Sequence, residues 1–453
     1  MHVSCFILIE VMSDSTFDNR MGIRTTYNYI EILSERLIYV VYVINYDGTP
    51  LMPCSSVIAR LLLKQGKAKC IKRTPFTIKL LYQTTNYTQD IAVGIDTGSG
   101  SIGSSAVKFN GDVIYLSEIE IRNDISDKMT QRAKYRRNRR NRKTRYRKER
   151  WINRKGSIRK DRFSPTMTSK INSHLKEINF ISSILPISKL ILETATFNTE
   201  ALKNPEVLNN KWGYKKGVNY RFYNTRAYVL YRDNYTCQYC KGKSKDKRLH
   251  VHHIIFKSNN GSNEESNLIT LCKTCHDSLH DGSVVLKGGK HKGQLKYATQ
   301  MNSIRTQLLK ALPLVKETFG FVTKEHRQVL NLPKEHYMDA VAIASQGNKI
   351  AFKTNGILFK KCISSGDYQQ SKGVRSEQKI PTNKIQGFRK FDKVNYLGSE
   401  YFIKGRMSTG YAILMGADGK KIDIKPIPKF SKMKRVQARK TWIIFQRPIQ
   451  SIA

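Results

Sequence analysis

The stretch IAVGIDTGSGSIGSSAVKFNGDVIYLSEIEI, residues 91–121, decides the reading of this chain. IAVGID is an apolar run closed by an acid, Asp96, with Thr97-Gly98-Ser99-Gly100 behind it. Short apolar runs bounded by glycine turns read as buried strands. SIGSSAVKF is a second such run and DVIYLSEIEI a third. Asn110-Gly111 between them is a dipeptide that closes tight hairpins. The pattern predicts a three-stranded meander whose first strand delivers a carboxylate at its end. A lone acid there is usually a cap or a turn residue, so Asp96 gains meaning only if others join it.

Two more acids stand in comparable settings. Glu193 lies inside the strand-like KLILETATF, 189–197. Asp339 lies in the helical HYMDAVAIA, 336–344, three residues after His336, so both project from one face while AVAIA buries the other. Three carboxylates converging from separate elements cannot all stay ionised without cations between them. Two divalent ions, Mg2+ or Mn2+, about 4 Å apart would stabilise the attacking and leaving oxygens of a phosphodiester. His336 is then the candidate to activate water.

A second constellation lies at 237–280. CQYC (237–240) and the later LCKTC (271–275) give two CxxC pairs, Cys237, Cys240, Cys272 and Cys275. Four thiolates make a closed tetrahedral site for structural Zn2+, leaving no open position for chemistry. Between and beside them run His252-His253-Ile254, Asn267 and His276, in His–Asn–His order. Adjacent strand residues point opposite ways, so His252 and His253 have different jobs. His250 and His280 are weaker candidates, and His280 could replace His276 as a ligand.

Charge names the partner class. Lys and Arg number 80 against 35 Asp and Glu, a formal +45 over 453 residues. Such a chain repels itself unless a polyanion neutralises it, and nucleic acid is the obvious one. Ribosomal proteins and histones are as basic, so charge names no reaction. RAKYRRNRRNRKTRYRKER (132–150) holds twelve Lys or Arg and one acid, Glu149. It lacks an apolar stripe and makes sense as a helix among phosphates. Arg136, Arg137, Arg139, Arg140, Arg142, Lys143, Arg145 and Arg147 are its candidate contacts. No run of about 18 apolar residues exists. Paired CxxC spacing without an export signal points to a reducing, cytoplasmic setting.

Residues 1–40 carry no motif and are expected to be an extension. Strand VYVIN (41–45), an Asp47-Gly48 turn and Pro50-Leu51-Met52-Pro53 lead to a basic amphipathic helix around 55–66, its approach stiffened by the two prolines. A helix is expected around 298–312. Beyond 350, VNYLGSEYFIKGRM and YAILMGADGKKIDI read as hairpins of a small barrel.

Acid-strand, basic helix, acid-strand, His–Asn–His insert, then His-x-x-Asp-Ala is the layout of an RNase H-like RuvC nuclease split in three around a bridge helix and an HNH domain. GIDTGS (94–99), ETATFNTEAL (193–202), TRAYVLYRDNYTCQYC (225–240) and HYMDAVAIA (336–344) resemble landmarks of the IscB family, transposon-encoded RNA-guided nucleases considered ancestral to the type II CRISPR effectors. Asn198 stands where that family commonly has an acid.

The resemblance implies an α/β multidomain chain. Its expected parts are a PLMP domain at 41–89, RuvC segments at 90–128, 161–205 and 291–348, a bridge helix at 129–160, a ββα-metal HNH domain with linkers at 206–290, and a C-terminal β-rich domain at 349–453 contacting guide RNA and a target-adjacent motif. It further implies His253 as general base, with His252 and His276 at Mg2+ positions. A monomer with a guide RNA (ωRNA) would cut double-stranded DNA, HNH on the paired strand and RuvC on the displaced one. The alternatives are a protein-guided HNH endonuclease of restriction or homing type, and an idle binding protein with structural zinc.

Overall fold

The computed structural model describes residues 40–140, 163–203, 205–214, 216–217, 219–259, 261–286, 295–354, 356–364, 384–447 and 449. Most of the expected extension, and the stretch 141–162 with Arg142, Lys143, Arg145 and Arg147, lie outside them.

Strands β1 (Val40–Ile44) and β2 (Pro50–Ser55), helix α1 (Ser56–Lys64), β3 (Ala68–Lys72) and β4 (Thr77–Leu80) form the first unit, with strand order β2-β1-β4-β3. Val41, Val43, Leu51, Ala59, Ile78 and Leu80 fill its core. The proline string, expected as a stiff approach to the helix, is itself edge strand β2. An edge strand tolerates proline because one of its sides has no ladder partner.

The expected meander follows as β5 (Ile91–Asp96), β6 (Ser101–Lys108) and β7 (Asp112–Glu120). Then come α2 (Ile125–Arg140), α3 (Pro165–Ser182), β8 (Lys189–Thr194), α4 (Thr199–Lys203), α5 (Thr225–Arg232), β9 (Leu249–His253), β10 (Leu268–Cys272) and α6 (Lys273–His280). After these run α7 (Lys296–Ala311), β11 (Lys316–Phe319), α8 (Gly320–Val329), α9 (His336–Ser345), β12 (Ala351–Phe352) and β13 (Ile357–Cys362). The large sheet is ordered β11-β8-β5-β6-β7-β13, with β8 parallel to β5, β11 parallel to β8 and β13 parallel to β7.

Strand alternation divides this sheet cleanly. Ile91, Val93 and Ile95 of β5 and Ile102 and Ala106 of β6 pack on one face with Ile171, Ile178 and Ile181 of α3 and Ile304 and Leu308 of α7. Val107, Val113 and Leu116 pack on the other with Met338, Val341 and Ala344 of α9. Both Asp96 and Glu193 fall on the α9 face. Within the opposite face Lys360 is wholly buried, its Nζ 2.6 Å from Glu177 Oε2 and 2.6 Å from Tyr115 Oη. Ser104 and Ser117 also donate to Glu177, so the buried charge pair is fully hydrogen-bonded.

Helix α2 carries the start of the basic run. Arg132, Lys134, Arg136 and Arg137 are exposed, and Arg139 and Arg140 lie in its last turn. The run was expected to bury no face, yet Tyr135 is buried and the helix lies against α3.

Strands β14 (Lys393–Tyr396), β15 (Ser399–Arg406), β16 (Ala412–Met415), β17 (Lys421–Ile422) and β18 (Met433–Gln437) form an antiparallel sheet ordered β17-β16-β15-β14-β18. The expected hairpins are present, but among the described residues no ladder closes them into a barrel. Strand β19 (Trp442–Arg447) returns to pair with β13, so β12, β13 and β19 extend the large sheet. The sheet therefore reaches past the boundary expected at 348, because Leu358, Trp442 and Ile444 bury in its core. No helix among the described residues is long and apolar enough to cross a membrane.

Candidate active centres

The first centre lies at the end of β5. Asp96 and Glu193 are direct register partners across the parallel β5–β8 pair, which places both on one face. Helix α9 supplies His336 and Asp339 in its first turn. It reaches them because two strand residues have no side chain. A Cβ on Gly94 would sit 2.3 Å from the Ala340 carbonyl oxygen, and one on Gly103 would sit 1.9 Å from that of His336. At the start of α8, Gly320 leaves room for Glu193, whose Oε1 lies 3.1 Å from where a Cβ would be.

His336 Nδ1 donates to Asp96 Oδ2 at 2.6 Å, and this bond raises the imidazole's pKa. Burial, with the charges of Asp96 and Asp339, pushes the Glu193 carboxyl up to about 7. Burial and Asp96 also raise Asp339, against Arg327, whose Nε lies 2.8 Å from Asp339 Oδ1. Carboxyls that resist ionisation beside one another are what a divalent cation relieves, so this donor set fits one. Its oxygens are more widely spaced than a single-ion cage. Among the described residues, three or more such side chains bring their ligand atoms within 4.8 Å of one another only in the cysteine and histidine groups described next.

The second centre is a ββα unit. Antiparallel β9 and β10 pair His252 with Ile269 and His253 with Leu268, and α6 follows directly. Cys237, Cys240, Cys272 and Cys275 hold their sulfurs within 4.8 Å of one another. Cys272 ends β10 and also caps α6 by accepting the Cys275 N–H. This is a zinc-type site of four cysteines, packed with Leu271 and Leu279.

Beside it His252, His276 and His280 converge, their ring nitrogens also within 4.8 Å. His252 Nδ1 donates to its neighbour's carbonyl at 2.7 Å, which turns Nε2 toward His280 Nε2 at 3.2 Å. Burial, with His276 and His280 nearby, lowers the His252 pKa and favours the neutral, metal-ligating form. Three imidazoles so arranged fit a divalent cation. Sequence reasoning treated His280 as a substitute for His276. Both join the cluster because they are four residues apart on one helical face. His250 lies on the same strand face as His252, its ring 5.0 Å from that of His276.

His253 points elsewhere, its Nε2 2.9 Å from Asn263 Oδ1. Buried Asn267 clamps the intervening loop. Its Oδ1 accepts the Ile255 N–H at 2.8 Å, and its Nδ2 donates to the carbonyls of Ser262 at 2.8 Å and Ile255 at 3.1 Å. Asn263 and Arg327 were missed in the sequence, and neither stands in a motif that could have signalled it.

Residues 41–217 match the family described as RRXRR protein, and residues 237–282 match HNH endonuclease. No curated protein matches the sequence. Similar solved structures are of Streptococcus thermophilus Cas9. The complex with the GGAA PAM is 12% identical with TM-score 0.32, covering 56% of this chain and 32% of that one. The complex with the AGAA PAM is 11% identical with TM-score 0.30, at the same coverage. The chain thus spans about a third of the length of the Cas9 chains it matches. The ββα unit is the part of the chain that matches HNH endonuclease. With an RRXRR region ahead of the HNH region, the chain resembles the IscB family.

Proposed function

We propose that this chain is an RNA-guided double-strand DNA endonuclease, its histidine centre cutting the guide-paired strand and its acidic centre the displaced one. The observation that carries the proposal is the presence of two separately built centres in one chain of net charge +45. Two centres let a monomer sever both strands without re-engaging the duplex. The order β7-β6-β5-β8-β11, with carboxylates on β5 and β8, supports reading the large sheet as an RNase H-like, RuvC-type domain. On this reading the basic segment and the ββα unit are insertions between its pieces. The exposed arginines of α2 and the RRXRR match support a structured guide RNA as the neutralising polyanion.

Asp96, Glu193 and Asp339 would hold Mg2+ or Mn2+ at the acidic centre. His252, His276 and His280 would hold one such ion at the other, and the four cysteines a structural Zn2+. Bound cations supply Lewis acidity to a phosphate oxygen. His336 stands half-exposed at the rim of the acidic centre, where it can take a proton from water. His253 donates through Nε2 to Asn263, leaving Nδ1 as its basic nitrogen for the same task.

With each DNA strand separately labelled, Asp96→Ala should abolish cutting of the displaced strand only, and His253→Ala that of the paired strand only. Loss of both cuts from either change would undo the assignment. A discrete RNA should co-purify, and its guide segment should match the DNA that is cut. Sequence-specific cutting that survives RNase would place recognition in the protein instead.

A further inference from the structure

One more carboxylate faces the acidic centre. The register runs Glu193, Asp96, Gly103, Glu118 straight across β8, β5, β6 and β7. Register partners share a sheet face, and two strand spacings put Glu118 about 10 Å from Asp96. The residue between them is Gly103, and the backbone of His336 rests in the space its missing side chain leaves. The backbone of His336 therefore lies over the strand position between those of Asp96 and Glu118. The next residues in the row, Phe359 and Phe445, stack at 5.6 Å beneath the Arg447 guanidinium. Burial raises the Glu118 carboxyl, and the charges acting on it are those of His336, Glu335, Arg447 and Asp96. Among the described residues no hydrogen bond ties its half-buried carboxylate elsewhere. A carboxylate taken partly out of water with no fixed partner is costly unless the site uses it.

We propose that Glu118 is a positioning residue of the acidic centre, its carboxylate steering the His336 imidazole from the strand position opposite Asp96. Nδ1 already donates to Asp96, so what Glu118 adds is a second charge that fixes how the ring is turned. The inference rests on reading the acidic centre as a DNA-cutting site.

The test uses the full-length protein with its co-purified RNA. Glu118→Gln should lower kcat for the displaced strand by roughly ten- to a hundredfold, with KM for DNA unchanged. Paired-strand cutting should not move, which reports that the variant is folded. Placed on His336→Ala, the same change should cost no more than about twofold, since the group it positions is gone. Calorimetric titration of Mn2+ into the full chain should show unchanged affinity in Glu118→Gln and weakened affinity in Asp339→Asn. An equal loss of rate with and without His336, a loss of Mn2+ binding, or an unchanged kcat each overturns the proposal. Displaced-strand cutting that persists in Asp96→Ala would instead overturn the acidic-centre reading, and this inference with it.

Discussion

The two centres are built by opposite strategies. The histidine centre is drawn from one continuous stretch of chain, and its unit has five buried core residues, three of them cysteines. The acidic centre gathers residues from Asp96 to Asp339 across a sheet whose main core holds 23 buried side chains. One is shaped by a metal-type cluster with almost no apolar core, the other by a large core that exists whether or not cations are bound. Small units cannot bury enough apolar surface to fold unaided, which is why the cysteines belong to the first and not the second.

The sharpest way to break that contrast is to remove the cysteine cluster. Structural zinc contributes on the order of 10–16 kcal/mol to small zinc domains, far more than a five-residue core can replace. Cys272→Ser removes a sulfur of the cluster and the cap of α6 together. It should abolish paired-strand cutting and zinc content and make 237–282 susceptible to protease. Displaced-strand cutting should persist. Loss of both activities, with a collapsed thermal transition, would show that the two units stand or fall together.

The same contrast explains what could be read in the sequence. The ββα unit was legible because its chemistry is local: two CxxC spacings and a strand-borne His-His pair constrain it directly. Asp96, Glu193 and Asp339 were legible one at a time, as acids ending or lining apolar runs. Their meeting depends on which strands become neighbours. The Asp96–Glu193 register and the two glycines that let α9 approach belong to the sheet, not to any motif. Pairings such as Lys360 with Glu177, 183 residues apart, left no local trace. Nor did the return of β19 to the large sheet, since an apolar strand near the C-terminus fits the smaller sheet equally well by pattern. His280 was undervalued because spacing alone does not decide which of two histidines on one helical face meets His252.

A subtler change tests whether the acidic centre depends on the packing of α9. In Gly103→Ala the new Cβ would meet backbone, the His336 carbonyl oxygen at 1.9 Å, so the helix must move. Overpacking of this kind costs about 1–3 kcal/mol, seen as a lower urea midpoint. A displacement of about 1 Å at reacting groups can cost about a hundredfold in rate. Displaced-strand cutting should fall by that order, while paired-strand cutting stays at its original rate. Equal rates on both strands would mean that the close seat of α9 does not govern the centre.

The smallest effect separates the centres by the sign of their pH dependence in cation-free protein. The folded-state pKa of Glu193, about 7, lies above its ordinary 4.5. The stability it lends is full below 4.5 and is lost as pH rises through 7, because the folded state must then hold a buried charge beside Asp96 and Asp339. His252 is shifted the other way, so its penalty grows as pH falls through the ordinary histidine range near 6.5. Glu193→Gln should therefore raise the melting temperature at about pH 8 relative to wild type and leave it nearly unchanged at about pH 4. His252→Gln should do the reverse, relieving a loss on the acid side. If both variants shifted the melting temperature equally on the acid and alkaline sides, neither centre would carry the buried ionisation that fits it for a cation.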